Sequence, residues 1–205
     1  MNEPTEPPAR LTSPRDSAGK PPPEPSARGV LDLSEQGLQD DDLLELLQSP
    51  SLPTLTTLDL TSNQIGDAGL VALARAPLMP HLQRLYLGGN PIGDAGLAAL
   101  AGSSYFPRLR QLILWGTQLT DEGVVALAHS TSLSQLILLI LNGEKVSHVG
   151  VTALAQSSAF PHLRELGLGD TPMGSIGALA LAQSSSLSRL RELDLSKNPL
   201  RYGGC

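Results

Sequence analysis

Cysteine is nearly absent from this chain: Cys205 is the only one, so no intramolecular disulfide can form, and a reducing, cytoplasmic setting is expected. Aromatic residues make up only 3% of the sequence, which leaves aliphatic side chains to build any core. No apolar run is long enough to span a bilayer, and the opening Met-Asn-Glu-Pro-Thr-Glu-Pro-Pro lacks the basic and apolar regions of a secretory signal. Basic residues are outnumbered, 14 Lys and Arg against 20 Asp and Glu. The net charge of -6 disfavours nucleic acid and anionic membrane surfaces as partners.

Catalytic patterns are missing as well. His81, His129, His148 and His162 form no HExxH, and no CxxC or comparable ligand spacing occurs, so no metal or other cofactor is expected. Gly88-Gly89-Asn90-Pro91-Ile92-Gly93 has the look of a phosphate loop, but Lys-Ser/Thr does not follow it. The serines, Ser184-Ser185-Ser186 among them, sit in no nucleophile elbow. The sequence reads as non-enzymatic.

What it does contain is a repeat. Turns opening at Arg28, Leu55, Leu82, Leu109, Leu136, Leu163 and Leu190 superimpose at a spacing of 27 residues without a gap. Leucine fills the fourth place of every turn (Leu31, Leu58, Leu85, Leu112, Leu139, Leu166, Leu193) and also the sixth (Leu33, Leu60, Leu87, Leu114, Leu141, Leu168, Leu195). A fixed period of this length means a solenoid, whose units bury their apolar faces only against neighbours. Such a stack exists to present a surface. Ahead of it, residues 1–27 hold eight prolines among charged and small polar residues. That leader cannot bury enough surface to offset its ordering entropy and is expected to be disordered.

Within a turn the pattern is strand, loop, helix. Leu55-Thr56-Thr57-Leu58-Asp59-Leu60 alternates as a half-buried strand does. After Gly66-Asp67-Ala68-Gly69, the residues Leu70, Leu73 and Ala74 fall on one helical face. Asp40, Asp67, Asp94 and Asp121 form a column just ahead of the helix, where each is expected to cap its own first turn. Pro53, Pro80, Pro107 and Pro161 recur two residues before the next turn and prevent the helix from continuing.

The turn Leu82-Gln83-Arg84-Leu85-Tyr86-Leu87-Gly88-Gly89-Asn90-Pro91-Ile92 resembles a leucine-rich repeat, and the following Gly93-Asp94-Ala95-Gly96-Leu97 is similar to the helical subclass that includes ribonuclease inhibitor. The resemblance covers residues 28–205 and implies an α/β fold. This is a curved solenoid of six full turns and an incomplete seventh, with a parallel sheet on its concave face and helices on its convex face. It also implies that Asn63, Asn90 and Asn198 bond the backbone of adjacent turns. That column departs to Gln36, Thr117, Glu144 and Thr171, and Glu144 must point outward or bury a charge. With His148 and Ser175 in the aspartate column, the turns at Leu136 and Leu163 are expected to be the least regular.

Third, fifth and seventh residues of each turn point away from the buried leucines. In the outer turns these include Asp32, Asp59, Glu165, Glu192 and Asp194. In the middle they are Tyr86, Ile113, Trp115, Leu138 and Ile140, a large apolar group on an otherwise polar face and the candidate partner-binding site. One ambiguity attends it: Leu136-Ile137-Leu138-Leu139-Ile140-Leu141 is apolar throughout and its register can slip by one. The expected function is non-enzymatic recognition of another protein through the concave face, with an acidic surround that favours a basic partner rim. The unfinished last turn points either to self-association through an uncapped C-terminal edge or to a recognition fragment of a larger signalling, ubiquitin-ligase or receptor-type protein. Regulation of a small GTPase would need an edge-loop arginine or asparagine, and nothing singles out Arg75, Arg84 or Arg110 for that role.

Overall fold

The computed structural model describes residue 26, residues 29–76 and residues 79–199. Apart from Ser26, the proline-rich leader lies outside the described residues, as do residues 200–205 with Cys205. Strands β1 (Val30–Asp32), β2 (Thr57–Asp59), β3 (Arg84–Tyr86), β4 (Gln111–Ile113), β5 (Leu138–Ile140), β6 (Glu165–Gly167) and β7 (Glu192–Asp194) form one parallel sheet in chain order. Between them run α1 (Asp40–Leu46), α2 (Asp67–Arg75), α3 (Asp94–Ala101), α4 (Asp121–Ala128), α5 (His148–Gln156) and α6 (Gly174–Ala182), each packed on the next. Each turn adds one strand and one helix to the stack. Strands stack at about 4.8 Å but helices need roughly 8–10 Å, so the stack bends with its sheet on the inside.

The register follows the sequence period. Leu31, Leu58, Leu85, Leu112, Leu139 and Leu166 pair in one row and are at most 2% exposed. Leu139 and Leu141 are fully buried while Leu138 and Ile140 are half-exposed, so the apolar run in that turn does not slip. The flank at β7 differs: Leu193 is 40% exposed.

Polar side chains bridge successive turns at three places. Asn63 Oδ1 accepts from the amides of Gln36 and Leu38 at 3.0 Å, and its Nδ2 donates to the Leu33 and Leu60 carbonyls at 2.9 Å. Ser103, Ser130, Ser157 and Ser184, each just after a helix, donate to the end of the helix one turn earlier, at the carbonyls of Ala74, Ala101, Ala128 and Ala155.

The aspartates behave differently from the sequence expectation. Asp67 Oδ1 accepts from Gly93 N at 2.8 Å and Gly96 N at 2.9 Å, so it caps the following helix, not its own. Asp121 likewise holds Ser147 N and Gly150 N, both at 2.8 Å. This explains which turn is irregular. The turn at Leu136 has no aspartate of its own but receives Asp121, and α5 starts in register. The turn at Leu163 faces His148, which offers no carboxylate. There α6 begins at Gly174 with φ +59°, after Met173 and without a side-chain cap.

Glu144 buries its side chain, 2% exposed, and accepts from Thr117 N at 2.7 Å and Leu119 N at 3.0 Å. It thus copies the accepting half of the asparagine and none of the donating half. Burial raises its pKa above the ordinary 4.5, with the Thr117 amide opposing. A raised native pKa means the folded state holds the proton more tightly, so this contribution to stability fades as pH rises from below 4.5 through the raised value. Glu144→Gln restores the donor and removes the charge. It is expected to gain about 1 kcal/mol near neutral pH and to flatten this part of the pH profile, as read by thermal unfolding across acid and neutral buffers. A variant less stable than wild type at neutral pH would contradict this account.

Candidate interaction face

The concave face is built by the short strands and the loop residue after each. Fifth positions line up as Tyr86, Ile113, Ile140 and Gly167 across β3 to β6, and third positions as Arg84, Gln111, Leu138 and Glu165. All five candidate residues therefore lie on three consecutive strands and the loop that follows β4. Tyr86, Ile113, Leu138 and Ile140 are half-buried, and Trp115 is 41% exposed. The Tyr86 hydroxyl donates to Gln111 Oε1 at 3.0 Å, and partial burial raises its pKa while Arg84 opposes.

Trp115 and Ile140 are seated by glycines. A Cβ on Gly88 would lie 2.5 Å from the Trp115 indole, so the ring rests on the backbone of the preceding turn. A Cβ on Gly167 would meet Ile140 Cδ1 at 2.8 Å. Trp115 thus reaches toward one neighbour and Ile140 toward the other. Trp115 and Ile140 border a depression of about 340 Å³ whose floor and far side include Asn142, Gly169, Asp170 and Lys197. Asn142 ties this region together: Oδ1 accepts from Gly169 N at 2.8 Å and Nδ2 donates to Asp194 Oδ2 at 3.0 Å. Hydrogen bonds from Ser196 hold the Asp194 carboxyl below its ordinary pKa.

The sequence reading named the apolar residues but missed Gly88 and Asn142. The available signal was glycine one turn before the only tryptophan in the same column. The flanking acids stand around the cluster: Asp32, Asp59 and Glu165 are half-buried, Glu192 and Asp194 exposed. Asp32 accepts from Ser34 N and Asp59 from Thr61 N, so both carboxylates are fixed locally and keep free oxygen valence. Among the described residues, no three His, Cys, Asp or Glu side chains gather as a metal site, and no helix is long and apolar enough to cross a membrane.

Replacing Gly88 with alanine should lift the Trp115 ring off its seat. Trp115 is the only tryptophan, so its emission reports this directly: a red shift and faster quenching by iodide are expected, with the far-UV dichroism unchanged. Unchanged emission would contradict the seating.

A leucine-rich repeat family model matches residues 51–74, 79–101, 108–128 and 161–182. Among solved structures, the chain is similar to an internalin from Listeria monocytogenes, with a TM-score of 0.50 and 22% identity over 84% of this chain and 49% of that one. It therefore spans about half the length of the internalin. It is also similar to the tropomodulin C-terminal domain of Caenorhabditis elegans, with a TM-score of 0.55 and 17% identity over 73% of this chain and 92% of that one. No curated protein sequence matches it. At these identities the likeness concerns the fold. Four matched repeats and a seven-strand parallel sheet alternating with helices give the chain the leucine-rich repeat fold.

Proposed function

We propose that this protein is a non-enzymatic scaffold that binds another protein across the concave face of its solenoid. The observation that carries the reading is the adjacency of Tyr86, Ile113, Trp115, Leu138 and Ile140 on consecutive strands, beside a depression bordered by the half-exposed Trp115. Contiguous apolar surface with a polar rim is where partners dock, and aromatic residues near its centre commonly carry most of the binding energy. Leucine-rich repeats commonly serve as protein-interaction scaffolds. The surrounding acids favour a partner with a basic rim. A cytoplasmic location agrees with the single cysteine, and a helix in every full turn supports the ribonuclease-inhibitor-like subclass.

A second reading rests on β7. Leu193 is 40% exposed where its counterparts are buried, which favours cover of that edge by another copy of the chain.

Affinity capture with mass spectrometry, comparing wild type with Trp115→Asp/Ile140→Asp, tests the main reading once circular dichroism shows both folded. Placing two charges in a buried apolar contact is expected to weaken the partner by at least tenfold. Equal recovery of every specific partner by the double variant would overturn the site.

A further inference from the structure

The rim where the strands begin carries basic residues that the concave reading does not use. Arg108 and Arg110 precede β4, Arg164 precedes β6, and Arg189 and Arg191 precede β7. Backbone bonds fix their column. The Arg110 carbonyl accepts from Ile137 N at 2.8 Å and Leu138 N at 3.0 Å, Ile137 does the same for Arg164 and Glu165, and Arg164 for Arg191 and Glu192. Two strand spacings put Arg110 and Arg164 roughly 10 Å apart. They line one depression of about 210 Å³ together with Gln135, Ile137, His162 and Arg189. Arg189 Nη1 lies 3.2 Å from His162 Nδ1.

No carboxylate lines this depression, and among the described residues none of its three arginines is ion-paired. A neighbouring depression of about 220 Å³ shares Arg110 and Gln135 and adds Arg108, again without an acid. On a chain of net charge -6, a concentration of unpaired guanidinium groups is unfavourable until an anion joins it.

We propose that this rim recognises a phosphorylated side chain of a partner protein. Three guanidinium groups and an imidazole exceed what a carboxylate's two oxygens satisfy, whereas a phosphoryl group offers three oxygens and nearly two charges. Nucleic acid fits less well. No Phe, Tyr or Trp ring lines the depression as a platform for successive bases, and Glu165 and Glu192, beside Arg164 and Arg191, would repel a continuing polyanion. The site shares no residue with the apolar cluster, so it stands or falls independently of the concave reading.

The test uses the full chain and degenerate peptide pools carrying phosphoserine, phosphothreonine or phosphotyrosine, with the same pools unphosphorylated and a short single-stranded oligonucleotide alongside. Fluorescence anisotropy is expected to show binding of at least one phosphorylated pool, weakened at least tenfold by Arg110→Gln/Arg164→Gln. Arg75→Gln on α2 should leave it unchanged. Binding to no phosphorylated pool, equal binding of unphosphorylated pools, or indifference to the double variant would overturn the proposal. Tighter binding of the oligonucleotide would reassign the rim to nucleic acid.

Discussion

Each turn of this solenoid is positioned by polar side chains that enter the backbone of the turn beside it. Stacked leucines supply the bulk of the burial, but that attraction is non-directional and leaves the stacking register free. Hydrogen bonds to fixed backbone groups are directional, and buried amides and carbonyls left unpaired are costly. Asparagines such as Asn63 close the loops, serines such as Ser130 close the helix ends, and aspartates such as Asp121 reach forward to the next helix start. The concave face is flat enough to gather Tyr86, Ile113 and Ile140 in one row because these bridges repeat at one spacing.

The period, the leucine rows, the strand-and-helix order and the asparagine bridges were all legible in the sequence, since each is carried by residue type at a fixed place. The aspartate column was legible as helix capping but not as capping of a neighbour. A carboxylate two or three residues from one amide in sequence lies nearer another amide contributed by the next turn, and linear spacing does not reveal that choice. The serine column went unread for the same reason: its acceptors belong to the helix one turn earlier. The irregular start of α6 was expected from Ser175, yet it traces to His148 one turn earlier.

At the candidate site, alternation alone identified which large apolar residues face the same way. It did not give their packing. Trp115 on Gly88 and Ile140 on Gly167 depend on the size of a residue in the next strand, and the depression beside them depends on Asn142 holding Gly169 and Asp194. The arginine rim was also visible residue by residue, but only the stacking of turns brings Arg110, Arg164 and Arg189 around one hollow. The sheet thus carries an apolar centre with acidic residues on both flanks and a basic rim where the strands begin.

Native-state amide exchange on wild type and Asp121→Ala tests most directly the claim that one turn places the next. The account predicts roughly tenfold or greater acceleration at Ser147 and Gly150, with the first turn of α4 unchanged, because the lost bonds belong to α5. Acceleration confined to α4, with Ser147 and Gly150 protected as before, would contradict it.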